Sequence, residues 1–328
     1  MSMQRRPLIA GVLAALADPG SVLAQAPAGK VWRIGVLSLS VPPEPLMRPW
    51  IAQILAPLGY VAGRNLHIDF KFAQHNVQAL PKFAAELVDA RPDLLIGLLI
   101  REGLALKRAT TTIPIVMMYA TTPVELGLVE SLARPGGNIT GTASVSPELY
   151  AKTLQILREL NPQTKHVALV SDGDFPGMDH YVKQGESAAS LLGIRTSTLT
   201  VRSAAEIDSA LLELLRDRPN AIIVGMAGVL IEHYGKVIEF AARHKLPALY
   251  GTRQPVLDGG LISYSPHFGV MGQRNAWMID KIFKGAKPSD IPMEEPAAFR
   301  LSINMQTARA MGLAIPPIIL LRADEVIE

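Results

Sequence analysis

The segment SDGDFPGMDHY, residues 171–181, places acidic and aromatic side chains directly after an apolar run. Its three carboxylates, of which Asp172 is the first, can accept hydrogen bonds from an ammonium group, and Phe175 and Tyr181 can form flat walls against a ring. Carboxylates this close together could also bind calcium, but the segment lacks the ligand order and the final glutamate of an EF-hand loop. We therefore predict a ligand-binding segment and no metal site.

Further candidate contact residues follow other apolar runs, where they would stand at the ends of strands. They are Ser38, Ser40, Arg101, Glu102, Tyr119, Thr121, Thr122, Met226, Tyr250, Arg253 and Tyr264. Because ligands bind at the carboxyl ends of the strands in parallel α/β sheets, we predict that these residues face a cleft.

Some of these residues could hold an anionic group. The planar guanidinium groups of Arg101 and Arg253 could each bind a carboxylate through two parallel hydrogen bonds. Ser40 and Thr122 could donate hydroxyl hydrogen bonds to the same group. The alternatives are that Arg101 and Glu102 form an exposed ion pair in the first turn of a helix, and that the hydroxyls cap helices.

The residue patterns that common enzymes require are absent from the sequence. The chain has no cysteine, and its seven histidines are scattered, without an HExxH motif or a close pair suited to zinc. The GxSxG motif, the P-loop and the GxGxxG fingerprint are missing as well. We therefore expect no catalysis and no cofactor. An extracytoplasmic enzyme that uses two carboxylates in a cleft is the alternative that stays open.

The chain contains a duplication that predicts its fold. ELVDARPDLLIG at 86–97 resembles ELLRDRPNAIIVG at 213–225, and each copy reads as a helix end, a proline-marked turn and a buried strand. The apolar runs IGVLSL, LLIGLL and TIPIVMMY match VALVSD, AIIVGM and KLPALYGT in the same order. Strands that alternate with amphipathic helices indicate a parallel sheet covered on both faces. We therefore predict an α/β fold of two doubly wound parallel-sheet lobes that face each other across a cleft. Within these units, the pattern also predicts one helix over 124–133 and another over 230–244.

The C-terminal part does not begin a third unit. Its elements return to the first lobe and then to the second, which predicts a hinge of three crossovers able to close on a ligand. The predicted bounds are 31–142 plus 267–298 for lobe one and 146–263 plus 300–328 for lobe two. Tyr264 lies at a crossover, so packing in the hinge is the alternative to ligand contact.

The N-terminus has the layout of a secretory signal. Arg5 and Arg6 precede an apolar run over 8–17, which is too short to cross a bilayer, and small residues follow. We predict a signal peptide over 1–26, cleaved at about 24–26. Since no cysteine can carry a lipid anchor, the mature protein is expected to be free in the periplasm.

Composition and charge exclude other classes of protein. Apolar residues make up 49% of the 328 residues and charged residues 19%, which is enough for two packed domains. The net charge is +3, and the basic residues are spread along the chain without a block that would bind nucleic acid. A sensor or effector-binding module remains an alternative, but a regulator would need a DNA-binding segment ahead of the first lobe.

Several longer motifs carry a resemblance to a known family. They are GYVAGRNLHIDF (59–70), GLVESLARPGGNITG (127–141), GGLISYSP (259–266), KIFKGAKPSDIP (281–292), INMQTARAMGLAIPP (303–317) and ADEVIE (323–328). With these motifs, the chain from residue 31 to its end resembles the ABC-transporter substrate-binding proteins, in the branch with members that bind aromatic amino acids.

The resemblance implies a bilobal periplasmic binding protein of type 1 fold, and we expect the protein to be a monomer. Such a protein captures a small solute and delivers it to an inner-membrane permease with an ATPase subunit. Two positions depart from the family: Thr122 stands where an acidic residue often precedes the proline, and Arg101 and Glu102 replace a common Thr-Pro stretch. We hypothesise a ligand with an acid group. Both an aromatic amino acid and an aromatic or other organic acid remain open.

Overall fold

The computed structural model describes residues 29–39, 44–143, 147–173, 175–225 and 228–328. The predicted signal peptide and two candidate contact residues, Ser40 and Met226, lie outside the described residues. Residues Val31–Glu328 form one compact unit, and the architecture that follows is that of this unit.

Strands and helices alternate through most of this unit. The strands are β1 (Trp32–Ser38), β2 (Leu66–Phe72), β3 (Leu94–Gly97), β4 (Ile115–Ala120), β5 (Ile139–Ala143), β6 (His166–Asp172), β7 (Arg195–Val201), β8 (Ala221–Val224), β9 (Ala248–Tyr250), β10 (Ile262–Pro266), β11 (Phe299–Asn304) and β12 (Glu325–Ile327). The helices are α1 (Glu44–Leu55), α2 (Leu80–Asp89), α3 (Ile100–Ala109), α4 (Pro147–Leu160), α5 (Met178–Leu191), α6 (Ile207–Asp217), α7 (Gly228–Glu232), α8 (Tyr234–Arg243), α9 (Gln254–Leu257), α10 (Phe268–Phe283), α11 (Met305–Met311) and α12 (Pro317–Arg322).

The strands form two separate sheets. The first has the order β2-β1-β3-β4-β5, and all its neighbours pair in parallel. The second has the order β12-β11-β10-β9-β8-β6-β7, and its neighbours are parallel except for the antiparallel pair of β10 and β11. Lobe one is the first sheet with its helices, and lobe two is the second. The predicted two-lobed α/β fold is therefore confirmed, although the antiparallel pair departs from the parallel sheet that we expected.

Each sheet is buried on both faces, which explains why its strands read as continuous apolar runs. In lobe one, Ile34 of β1 packs with Ile51 of α1 and Ile279 of α10 on one face. Leu95 of β3 packs with Leu87 of α2 on the other face. Lobe two has two such apolar clusters as well, one on the side of α4 and α5 and one on the side of α6 and α8.

The duplicated segments fold alike, down to single residues. Arg91 and Arg218 follow α2 and α6 and adopt left-handed backbone angles, with φ of +48° and +51°. Two residues later, Asp93 accepts a hydrogen bond from a backbone N–H near the start of β1 (2.8 Å), and Asn220 accepts one near the start of β6 (2.9 Å). The repeat therefore encodes a turn that ties each helix end to the first strand of its sheet.

The chain passes between the lobes three times. It leaves the first sheet after β5 and enters lobe two. It leaves the second sheet after β10, since the helix that follows, α10, packs against β4, β5 and α1 of lobe one. It returns to lobe two before β11, shortly after Glu294 pairs with Thr142 of β5. The bounds that we gave to the two lobes remain a prediction.

Two predicted helices differ in the structure. Residues 124–133 form turns, where isolated bonds such as Leu128 N–H to Pro123 O (2.7 Å) do not continue into a helical ladder. Gly127, with φ of +65°, interrupts the helical pattern that the apolar spacing suggests. The helix predicted over 230–244 is broken at His233, whose φ of −120° separates α7 from α8.

Candidate functional site

A cavity of about 720 Å³, which includes space open to solvent, lies between the two lobes. Lobe one contributes Tyr119 from β4 and Thr121 just after it. Lobe two contributes Leu149, Thr153, Leu169, Ser171, Phe175, Met178, Ile223, Val224, Gly225, Leu249, Gly251 and Tyr264. The cavity therefore opens at the carboxyl ends of the strands, where parallel α/β sheets bind ligands.

Strand alternation decides which side chains reach the cavity. In β6, Leu169 and Ser171 point to the side covered by α4 and α5, and both line the cavity. Their neighbours Ala168 and Val170 point to the opposite side, where they pack with α6 and α8. Lobe two thus supplies an apolar wall at the end of its central strands, with a single hydroxyl from β6.

Aromatic rings form much of the remaining wall. Tyr264 stacks on Phe299, with ring centroids 5.4 Å apart, and Tyr119 lies 5.4 Å from Phe268. Phe175 reaches from lobe two and packs against the apolar core of lobe one. Burial raises the pKa of Tyr264, so its phenol is neutral at neutral pH. Flat apolar faces of this kind suit a ring better than a flexible chain.

The polar atoms of the wall are neutral. No charged side chain lines the cavity in the part of the chain that the structure describes. Thr153 donates its hydroxyl hydrogen to the carbonyl of Leu149 at 2.8 Å. Ser171 is 1% exposed, and its Oγ finds no hydrogen-bond partner among the described residues. Among the described wall residues, Ser171 is thus the one whose buried hydroxyl is left to pair with whatever fills the cavity.

The lobes also touch directly around the cavity. A Cβ at Gly177 of lobe two would lie 2.3 Å from Thr122 Oγ1 of lobe one, and Gly177 has a φ of +83°. His180 of lobe two lies 3.3 Å from Glu125 of lobe one. Contacts of this kind require the two lobes to be close together, so the structure shows a closed cleft.

Of the predicted contact residues, the structure brings four to the cavity wall: Tyr119, Thr121, Phe175 and Tyr264. Tyr181 lies in α5, and nothing is described of its side chain. Ser38 is fully buried at the end of β1. The other described candidates do not line the cavity; they are Arg101, Glu102, Thr122, Asp172, Tyr250 and Arg253.

Two of them lie at the strand ends of lobe one. Glu102 is fully buried, and its Oε1 accepts the backbone N–H of Leu39 at 2.7 Å, while Oε2 has no partner within the described chain. Burial raises the pKa of Glu102, and the charge of neighbouring Arg101 acts in the opposite direction. Thr122 is buried with a φ of +44°, against Gly177.

Three predicted residues of lobe two point away from the cavity. Asp172 lies on the other face of β6, beside Gly228 at the start of α7. Tyr250 is fully buried in the core on that side. Arg253 makes two hydrogen bonds to the carboxylate of Glu325, one of 2.6 Å, which raises the pKa of the guanidinium and occupies its planar face.

Sequence reasoning missed the lining residues that helices supply, Leu149 and Thr153 from α4 and Met178 from α5. It also chose Asp172 over Ser171. The alternation of HVALVSD contains the signal that separates these two neighbours, because Ser171 shares its face with the apolar Leu169.

The described residues contain no group of three or more acidic or histidine side chains that could hold a metal ion. None of the described helices combines the length and the hydropathy that spanning a bilayer requires.

Two lobes that close over a neutral cavity, joined by three chain passages, define a two-lobed solute-binding receptor. Comparison with known proteins gives the family. The family model for ABC transporter substrate binding protein matches residues 40–327, and the chain belongs to this family.

Relatives of this chain include binding proteins for aromatic amino acids. It is 26% identical over 262 residues to the tyrosine-binding protein of Clostridioides difficile, covering 78% of this chain and 73% of the relative. A solved structure from Streptococcus pneumonia, an ABC domain in complex with L-Trp, has a TM-score of 0.80 and 27% identity, over 90% of this chain and all of that one. A conserved domain protein from Vibrio cholerae has a TM-score of 0.84 and 26% identity over the same shares.

Proposed function

We propose that this protein captures an aromatic solute between its lobes and delivers it to an inner-membrane ABC permease with an ATPase subunit. The solute is an aromatic amino acid or an aromatic acid. The protein acts as a monomer in the periplasm after its signal peptide over 1–26 is removed, and it releases the solute chemically unchanged.

The observation that carries this proposal is the composition of the cavity wall. Tyr119, Phe175 and Tyr264 contribute aromatic rings to this wall, and aliphatic side chains make up most of the rest. Sites for small molecules are typically mostly apolar, with a few polar groups that fix orientation. The names of two relatives, one tyrosine-binding and one in complex with L-Trp, support the same class of solute.

The charged end of such a solute needs a different position from its ring. A carboxylate buried against neutral apolar groups would lose its hydration without compensation. We therefore place the ring in the cavity and the acid group toward the strand ends of lobe one, where Arg101 lies in the first turn of α3. In lobe two, the guanidinium of Arg253 binds the carboxylate of Glu325.

A thermal-shift screen tests the proposal. The mature chain is heated with L-tyrosine, L-tryptophan, L-phenylalanine, 4-hydroxyphenylacetate and, as a control set, aliphatic dicarboxylates. A solute that binds the folded state stabilises it by mass action, by about 2.7 kcal/mol at a hundredfold excess over Kd, and so raises the melting temperature. We expect a shift with at least one aromatic solute and none with the dicarboxylates. The reverse pattern would contradict the proposal, and recovery of a converted product would favour the enzyme alternative.

A further inference from the structure

Ser171 presents a buried hydroxyl to an otherwise apolar part of the cavity wall. It stands at the end of β6 with 1% exposure, and its Oγ has no hydrogen-bond partner in the described chain. A buried polar group without a partner is unfavourable, so a solute that supplies the partner gains affinity. In the same wall, Gly225 and Gly251, which follow β8 and β9, line the cavity without side chains.

The chemistry of the missing partner follows from the surroundings. The lining residues that the structure describes are neutral, so a charged solute group beside Ser171 would be desolvated without a counter-charge. A serine hydroxyl can both donate and accept a hydrogen bond, so it can pair with a phenol O–H or an indole N–H. Thr153 differs, because its hydrogen is already given to the Leu149 carbonyl.

We propose that Ser171 sets the specificity of the site by binding a neutral polar group on the aromatic side chain of the solute. The site then selects rings that carry a hydroxyl or an N–H over a plain phenyl ring. This assignment rests on the proposed function and adds which member of the solute class is preferred. A site that hydrogen-bonds a substrate group rejects the analogue that lacks it, because its own polar atom is then left unpaired.

The test compares solutes that differ in this group. Isothermal titration calorimetry with L-tyrosine, L-tryptophan and L-phenylalanine is expected to show about tenfold tighter binding of tyrosine or tryptophan than of phenylalanine. In Ser171→Ala the preference is expected to fall to within about threefold, with phenylalanine binding unchanged or tighter. Ser263→Ala removes a serine hydroxyl of β10 that is also buried and without a partner in the described chain but does not line the cavity, and it is expected to leave the preference in place.

The outcomes separate the two proposals. If aromatic solutes bind but the native chain does not discriminate, or if Ser171→Ala keeps the preference, the role of Ser171 is overturned while the proposed function stands. If none of the three solutes binds, the proposed function fails and the assignment of Ser171 fails with it. Unfolding curves of both variants confirm that each is folded before titration.

Discussion

The two lobes each place a carboxylate beside the end of their first strand, but they take it from opposite elements. In lobe one the carboxylate comes from a helix: Glu102 of α3 accepts the N–H of Leu39, just after β1. In lobe two it comes from the strand: Asp172 ends β6 and lies against Gly228, at the start of α7. The alignment that matches the duplicated segments places Leu39 opposite Asp172 and Arg101 opposite Gly228.

The difference shows that two copies of a fold can both have a carboxylate at this place while it comes from a helix in one copy and from a strand in the other. Because the strand residue Asp172 carries the carboxylate, the facing helix position cannot hold a side chain: a Cβ at Gly228 would lie 1.6 Å from Asp172 Oδ2. In lobe one that position holds Arg101, since no strand carboxylate fills the space. The comparison predicts different tolerances at equivalent positions of the two lobes.

The largest effect is expected for Gly228→Ala. Gly228 has a φ of +51°, which costs about 1–2 kcal/mol for a residue with a Cβ, and overpacking against Asp172 adds about 1–3 kcal/mol. We expect a loss of roughly 3 kcal/mol in the free energy of unfolding, measured by urea denaturation. Arg101→Ala, the matched change in lobe one, is expected to cost under about 1 kcal/mol.

A double variant checks the physical reason. Asp172→Ala/Gly228→Ala removes the overlap and leaves the backbone strain, so the pair is expected to be more stable than the sum of the single changes by about 1 kcal/mol or more. Strict additivity would show that Asp172 is not what excludes a side chain at Gly228.

The second effect concerns the unequal shares of the lobes in the cavity. Lobe two supplies most of the wall, so Tyr264→Ala is expected to weaken the binding of an aromatic amino acid about tenfold to a hundredfold, through lost apolar contact. Thr121→Ala in lobe one is expected to change it less than about fivefold. Titration calorimetry of both variants decides, and a greater loss in Thr121→Ala would assign the main contact to lobe one.

The third effect is the pH dependence of Glu102. Burial raises its pKa in the folded chain, so its contribution to stability is fully present below the unfolded value and is lost as pH rises through the folded pKa. Glu102→Gln cannot ionise. We therefore expect the melting temperature of Glu102→Gln, minus that of the native chain, to increase as pH rises from 4 to 8. A constant difference across this range would contradict the assignment.

The smallest effect is expected at the edge of lobe two. The two hydrogen bonds from Arg253 lower the pKa of Glu325, so this stabilisation is present above the unfolded value and is lost as pH falls through the folded pKa. Because Arg253 is 41% exposed, Arg253→Ala is expected to cost under about 1 kcal/mol at pH 7. Solute affinity is expected to stay the same. A tenfold loss of affinity would instead make Arg253 a solute ligand.

The sequence predicts the parts of this fold that local patterns determine. The repeat around Arg91 and Arg218 folds as predicted, because its helix end, its proline-marked turn and its strand are all determined by signals within about a dozen consecutive residues. The break at His233 and the turns over 124–133 escaped prediction, because apolar spacing alone does not show where a helical hydrogen-bond ladder stops. The antiparallel pairing of β10 and β11 depends on the return of the chain from lobe one, which is a tertiary event.

Sequence reasoning predicted cavity residues only where a side chain suited to binding a ligand follows a predicted strand. Tyr119, Thr121, Phe175 and Tyr264 follow from the rule that ligands bind at the ends of parallel strands. Thr153 and Met178 come from helices whose orientation depends on packing, so no local signal points to them.

The central claim is that the ring of an aromatic solute binds in the neutral cavity between the lobes. A crystal structure of the mature chain with the tightest aromatic solute of the thermal-shift screen tests it directly. We expect the ring between Tyr264 and Tyr119, with its polar group within hydrogen-bond distance of Ser171 Oγ. A solute bound elsewhere, with this cavity empty at saturating concentration, would contradict the account.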